Sequence, residues 1–330
     1  MMRAVAAAAV LLAMSVSAAM AQTTAPGAAA RAYPSKAIRF IIPFSPGGSG
    51  DAIMRIVGQK LTEAWGQSSI MDNRAGASGA IGLQMAAKSP ADGYTLVHGT
   101  ASTHTINPIL QRDLPYDPVR DFAPVAILMA TPNIIVAHPG VPASNMKELI
   151  QLARGKPGQI SYASNGAGTA SHMAGEFLNL EAGIKLVHVP YKGGGQGIID
   201  VLGGHVQLLI GAVATSLPHV TSGKLKALAV TSLQRSAAAP NVPTVAESGL
   251  PGFEVVQWFG IFAPAKTPKE IVSKLNAEIN RALNQTNVKN EFMRQGFDVE
   301  NRTPDQFAGY MKDESVKWAK LIKAAGIRAE

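Results

Sequence analysis

The run Phe40-Ile41-Ile42-Pro43-Phe44-Ser45-Pro46-Gly47-Gly48-Ser49-Gly50-Asp51 is where this chain offers chemistry most openly. An apolar strand enters a loop of Gly, Ser and Pro, and a helical pattern (Ile53, Ile56, Val57, Leu61) begins at once. Such a unit aims several backbone N–H groups, and the positive end of a helix dipole, at one small volume. That volume suits an anion. No nucleophile or metal ligand stands beside it, so the chemistry on offer is capture rather than conversion.

The device recurs. Asn73-Arg74-Ala75-Gly76-Ala77-Ser78-Gly79-Ala80 follows a strand ending at Met71 and precedes a helix. Further on, Ser164-Asn165-Gly166-Ala167-Gly168-Thr169 leads into the helix of His172, Met173 and Phe177, and Tyr191-Lys192-Gly193-Gly194-Gly195-Gln196 follows another strand. One such loop by itself reads better as a tight turn needing positive φ. Four at strand C-terminal ends, two in each half of the chain, favour a ligand cleft.

Enzymatic templates fail on inspection. Gly166-Ala167-Gly168-Thr169-Ala170-Ser171 lacks the third Gly of a dinucleotide fingerprint, and there is no P-loop. Gly47-Gly48-Ser49-Gly50-Asp51 ends in Asp where a nucleophile elbow needs Gly. His172 and Glu176 lie four apart but have no second His for a zinc motif, so no metal is expected. Lys192, beside three glycines, reads as a loop cation rather than a Schiff-base lysine.

The elements that must position these loops alternate along the chain. Strand-like runs are expected at Ile38–Phe44, Ser69–Met71, Thr95–Gly99, Val125–Met129, Asn133–His138, Ile160–Ala163, Leu186–Pro190, Val206–Ile210, Leu225–Val230 and Val255–Phe262. Helix-length segments such as Met146–Arg154, Ala170–Leu180 and Gln196–Leu202 lie between them, which predicts α/β lobes with largely parallel sheets. Toward the C-terminus, Thr267-Pro268-Lys269-Glu270 and Thr303-Pro304-Asp305-Gln306 each match a capping box with Pro at the first helical position. Two proline-bearing segments, Leu114–Pro124 and Ala237–Phe253, are candidate crossings between lobes. They divide the chain into lobe 1, residues 32–130 plus 255–330, and lobe 2, residues 131–254, with a hinge that can close on a ligand.

Residues 1–21 have the layout of a secretory signal peptide: Arg3, an apolar run from Ala4 to Met14, and Ala19-Met20-Ala21 as a cleavage site. Such a run is far short of the ~20 residues that span a bilayer. The absence of cysteine rules out disulfides, a thiol nucleophile and thiolate metal sites. A formal charge of +8, spread thinly and with few aromatics, argues against nucleic acid as a partner and mildly toward anionic small molecules.

In this order the loops resemble those of the Bug-type extracytoplasmic solute-binding proteins of tripartite tricarboxylate transport systems. The similarity runs through Tyr33-Pro34, Ile38–Asp51, Asn73–Gly79, Pro90-Ala91-Asp92-Gly93-Tyr94, Tyr116-Asp117-Pro118, His188-Val189-Pro190-Tyr191-Lys192-Gly193, Gly223–Val230, Pro243–Glu247 and Trp258-Phe259-Gly260, covering nearly all of the chain beyond the signal.

The resemblance implies a periplasmic, two-lobed, type II-like Venus flytrap with two hinge crossings, no catalytic activity and no cofactor. It implies a monomer that serves inner-membrane transporter subunits or a sensor. The lobe 1 site it implies comprises Phe44, Ser45, Pro46, Gly47, Gly48, Ser49, Asp51, Gly76, Ala77, Ser78, Gly79 and Ala80. From lobe 2 come Ser164, Asn165, Gly166, Gly168, Thr169, His172, Gly193 and Gly194. Many members carry an acid at the position of Gly211, which would meet a ligand ammonium. Its absence here points to a dicarboxylate or aromatic carboxylate rather than an amino acid. The competing expectation is an exported α/β hydrolase acting on such acids, which would need a nucleophile with a positioned base.

Overall fold

A computed structural model describes residues 32–327 other than Arg112, Lys192 and Gly193. The signal-peptide reading of residues 1–21, and Gly193 of the expected site, lie outside the described residues.

Strand β1 (Ile38–Ile42) is buried almost throughout, because parallel neighbours cover both its edges and helices cover its faces. β2 (Ser69–Asn73) lies on one side and β3 (Thr95–Thr100) on the other, both parallel to it. Helix α1 (Ser49–Trp65) connects β1 to β2 and ends at Gly66 in the left-handed region. Helix α2 (Ala80–Ala87) connects β2 to β3, and the short α3 (Asn107–Leu110) follows a π-helical turn at Ser102–Ile106.

The central strand of the molecule is β4 (Phe122–Ala137). Its first part pairs antiparallel with β9 (Val256–Pro264), which pairs in turn with β3. Its last part pairs with β7 (Leu208–Ala212) and β8 (Lys226–Val230). Beyond β7 come β5 (Ile160–Ser164) and β6 (Leu186–Pro190), again parallel. Helices α4 (Met146–Gly155), α5 (Ala170–Ala182), α6 (Gly194–Leu202) and α7 (Val213–Thr221) clothe this second half. The order β2-β1-β3-β9-β4-β7-β5-β6 thus joins two half-sheets through one strand.

Three expectations change. The sheets are mixed: each half has three parallel strands, but β9 and β4 run antiparallel to their neighbours. The two strands expected at Val125–Met129 and Asn133–His138 are one strand, which tolerates its prolines because Pro124 stands at a register shift and Pro132 is the last residue paired with β9. The change of sheet therefore falls at Pro132–Asn133, beyond the Leu114–Pro124 segment, and the chain returns between β8 and β9. Third, the capping boxes differ. Helix α8 (Lys269–Leu283) has no side-chain cap, and the buried Thr267 hydroxyl has no partner. Thr267 instead spends its N–H on Pro264 O in a turn, at 3.0 Å.

Helix α9 (Thr286–Arg294), strand β10 (Asp298–Val299) and helix α10 (Pro304–Ala325) complete the chain. Thr303 caps α10 by accepting from Gln306 N, and the Gln306 side chain accepts from Thr303 N. Phe307 and Trp318 of α10 are fully buried, Phe307 against Trp258 and Phe262 of β9. α10 packs on β4 and also on α5, so it touches both halves.

Thr303→Val should cost about 1 kcal/mol by removing a cap, whereas Thr267→Val, which deletes a hydroxyl that bonds nothing, should be neutral or stabilising. Urea denaturation of both variants checks this, and equal losses would contradict the assignment.

Candidate functional site

The C-terminal ends of β1, β3, β5 and β6 face one cleft of about 1070 Å³. A smaller, apolar groove of about 440 Å³ between α5 and α10 lies away from the strand ends.

On the first wall the loop after β1 is held by Asp51, which is almost fully buried. Its carboxylate accepts from Gly47 N (3.0 Å), Arg55 Nε and Nη2 (2.9 and 3.1 Å) and Asn73 Nδ2 (3.0 Å). Asn73 Nδ2 also donates to Phe44 O at 3.1 Å. The bond from Arg55, helped by Gly47 and Asn73, outweighs burial and lowers the Asp51 pKa to about 2. The loop turns at Gly47 with φ +83°, which favours glycine. Gly48 is extended and gives α1 no side-chain cap. The N–H groups of Ser49 and Gly50 therefore have no acceptor among the described residues, while both residues line the cleft.

Behind them stands His98, fully buried, with no partner for either ring nitrogen among the described residues. Phe44 and Phe259 meet its ring edge-on at 5.7 and 4.9 Å. Burial lowers the His98 pKa to about 3, so the ring is neutral. A Cβ on Gly50 would lie 2.5 Å from His98 Cε1, so only glycine fits there as the backbone stands.

The second wall is different in kind. Asn165 N donates to Ser171 Oγ (3.0 Å), Gly166 N to Ser164 Oγ (3.1 Å) and Gly168 N to His172 Nδ1 (3.1 Å). Thr169 caps α5 by accepting from His172 N at 3.4 Å. Three amides of this loop are thus used internally, while Ala167 N–H has no acceptor among the described residues; with it the wall presents the side chains of Asn165, Thr169, His172, Glu176 and His188. The His172 and His188 rings stack at 3.9 Å, and Tyr162 stacks on His188 at 5.1 Å. Tyr162 OH donates to Glu176 Oε1 at 2.8 Å. Burial holds both histidines at about 4, each neutral at physiological pH.

Of the expected residues, Phe44, Gly48, Ser49, Asp51, Asn165, Gly166, Gly168, Thr169 and His172 line the cleft. Ser45, Pro46 and Gly47 are exposed outside it. Gly76, Ala77, Gly79 and Ala80 do not line it either, because their loop backs onto the first one, with Gly79 beside Pro43, Phe44 and Thr103; the Ser78 side chain lies outside the description. Ser164 is buried and acts on its neighbours, and Gly194 is the first residue of α6.

Gly50 and Ala167, within the two expected loops, and Glu176, weighed as an alternative acid to one at Gly211, also line the cleft, whereas sequence reasoning missed His98, Thr100, Ser102, Asn107, Leu110, Gln111, His188, Pro190, Gln257, Phe259 and Ile327. The small polar string Gly99-Thr100-Ala101-Ser102 at the end of the third parallel strand was an available signal for some of them. Gly211 is paired with Ile134 inside the sheet and is not part of the lining, so the inference from its missing acid lapses. An acid, Glu176, faces the cleft from α5 instead.

Ser164 Oγ lies 2.6 Å from His188 Nε2, which resembles a nucleophile with its base. But Ser164 is fully buried and bonded to Gly166, and among the described residues no carboxylate orients His188, since Glu176 serves Tyr162. Among the described residues no group of His, Asp or Glu is placed to hold a metal, and no helix is long and apolar enough to cross a membrane.

The Asp51 pKa is depressed in the folded state, so its contribution to stability is full above the ordinary carboxylate value near 4 and is lost as pH falls toward about 2. Asp51→Asn should be less stable than the parent at neutral pH, and the gap should close as the solution is acidified through that window. Thermal melts against pH test it, and a gap that stays constant to low pH would refute it.

Comparison with known proteins accords with this architecture. The family model described as the tripartite tricarboxylate transporter family receptor, TctC, matches residues 53–327. BugT of Bordetella pertussis is 37% identical over 297 residues, covering 90% of this chain and 91% of BugT. Among solved structures, R. palustris Rpa4515 with adipate superposes with a TM-score of 0.80 at 33% identity, covering 90% of this chain and all of that one. MatC from Rhodopseudomonas palustris, with bound malate, gives 0.75 at 31% identity, covering 88% of this chain and all of MatC. The two-lobed α/β solute-binding fold is common to them, and nothing in these comparisons supports a hydrolase. The chain belongs to the Bug-type TctC family of tripartite tricarboxylate transporter receptors.

Proposed function

We propose that this chain is an exported, monomeric receptor of the periplasm, without catalytic activity, that closes two lobes on a small carboxylate. The lobes are residues 32–130 plus 255–330 and residues 131–254. Dicarboxylates or aromatic carboxylates are its ligands, and it delivers them to inner-membrane transporter subunits or reports them to a sensor.

The observation that carries this reading is the uncapped start of α1, where the Ser49 and Gly50 N–H groups face a cleft with no Lys or Arg among its described lining residues. A helix N-terminus satisfies a carboxylate without a charged side chain. Rpa4515 with adipate and MatC with malate support the ligand class. It no longer rests on Gly211.

A thermal-shift panel of carboxylic acids, with a search for product by chromatography, tests the proposal. Saturable stabilisation by at least one dicarboxylate or aromatic acid, with the acid recovered intact, is expected. Turnover, or stabilisation by amino acids alone, would overturn it. Gly48 is extended, and a Cβ there would meet only Ser45 O, at 3.8 Å. Gly48→Val should therefore fold normally yet weaken binding at least about tenfold, or roughly 1.4 kcal/mol, by crowding the anion. Small-angle scattering should show contraction at saturation; an unchanged radius would argue against closure.

A further inference from the structure

The two walls of the cleft differ in what they still lack. The first offers N–H donors. The second has one imidazole tautomer set by its own loop. Gly168 N–H donates to His172 Nδ1, which leaves the proton on Nε2. Ser164 Oγ accepts from Gly166 N–H, donates to Gly166 O at 3.3 Å and lies 2.6 Å from His188 Nε2, so that one nitrogen of His188 is engaged. Neither His172 Nε2 nor His188 Nδ1 has a partner among the described residues. The same wall carries two acceptors, the buried Asn165 Oδ1, which has no partner, and Glu176, whose Oε1 takes only the Tyr162 hydroxyl.

A bare second carboxylate would find the His172 Nε2–H donor and the Ala167 N–H on this wall, but also the Glu176 charge and the Asn165 oxygen. No lysine or arginine lies among the described lining residues. The titratable groups facing the ring pair are Tyr162 on β5 and Glu176 on α5. Across the cleft stand His98, buried and neutral, and Asp51, already paired with Arg55. α3 and β9 contribute the neutral Asn107 and Gln257.

We propose that His172, His188 and Glu176 form the subsite for the far end of the ligand, and that a second carboxylate binds there together with one proton taken from solvent. This rests on the carboxylate reading above and adds to it a charge rule. A dianion needs a proton to enter, whereas a monocarboxylate with an apolar tail does not.

The sign follows from the neutral state of the rings. Both histidines titrate near 4 in the free receptor, so they carry no proton at neutral pH. An arriving anion favours the charged imidazole, so the cluster gains its proton on binding. Affinity for the dianion then rises as pH falls, by up to about tenfold per pH unit, until the free cluster or the free ligand itself becomes protonated.

Isothermal titration in two buffers of different ionisation enthalpy, at about pH 6.5, reads the proton directly. Adipate and hexanoate differ by the second carboxylate alone. We expect close to one proton taken up with adipate and close to none with hexanoate. Glu176→Gln keeps an acceptor for Tyr162 and removes the charge; it should reduce the uptake and flatten the pH dependence of adipate affinity. His172→Gln should also reduce the uptake. Adipate binding with no proton exchange, or with uptake unchanged in both variants, would overturn this inference while leaving the carboxylate receptor standing. Failure of every acid in the panel to bind would overturn both.

Discussion

The molecule turns on the joint where its two half-sheets meet. There the outgoing strand β4 and the returning segment before β9 are laced together by one threonine. Thr231 N donates to Asn133 O at 2.9 Å, and Asn133 N returns a bond to Thr231 Oγ1 at 2.9 Å. The Thr231 hydroxyl donates to Val255 O at 2.5 Å, and Val255 N donates to Thr231 O at 2.8 Å. All three residues are buried, so leaving any of these groups unpaired would cost on the order of 1–3 kcal/mol. The joint fixes where the two half-sheets meet.

Around that joint the walls have divided their labour. Asp51 sits at the third position of α1 and binds the loop that enters the same helix, so its charge is spent on Arg55, Gly47 and Asn73 and does not repel an anion. The first wall can then offer main-chain donors in a fixed geometry. The second wall uses three of its loop amides internally and presents rings and a carboxylate. In the proposed binding mode a ligand fastened at one end by backbone and met at the other by titratable side chains is held by two different kinds of force, the first responding to shape and the second to charge.

Much of this was open to reading in the chain. The strand–loop–helix at Phe40–Asp51 announced a loop with free N–H groups at a strand end, because Gly and Ser before a helical period leave them uncapped. The Thr303 box announced α10 because both partners of the cap are local. What could not be read depends on contacts between distant residues. The Thr267 string is as good a capping box as that of Thr303, but a turn back to Pro264 takes it away. The Gly76–Ala80 loop has the same composition as the first loop, yet it lies behind Pro43 and Phe44 instead of beside the cleft. His98 and His188 sit within ordinary apolar strands, and only the pairing of β3 beside β1 and of β6 beside β5 brings them to the cleft. Gly211 failed as a guide for the same reason, since its burial between strands is a tertiary fact.

The threading of β9 carries a consequence for how the chain comes to be folded. β3 and the first part of β4 close the first half-sheet only by pairing with β9, as in Val97 with Phe262 and Ala126 with Ile261. A nascent chain that has emerged as far as β8 holds every strand of the second half but lacks the piece that lies between β3 and β4. Its early strands remain unpaired at that edge until residues 256–264 arrive. Contacts of such sequence separation are formed late and slowly, since the loop must be closed before they repay it. The N-terminal half therefore waits on the C-terminal third. A chain built this way stays unfolded in part while it is being made, in need of protection from aggregation and still supple enough to be threaded elsewhere.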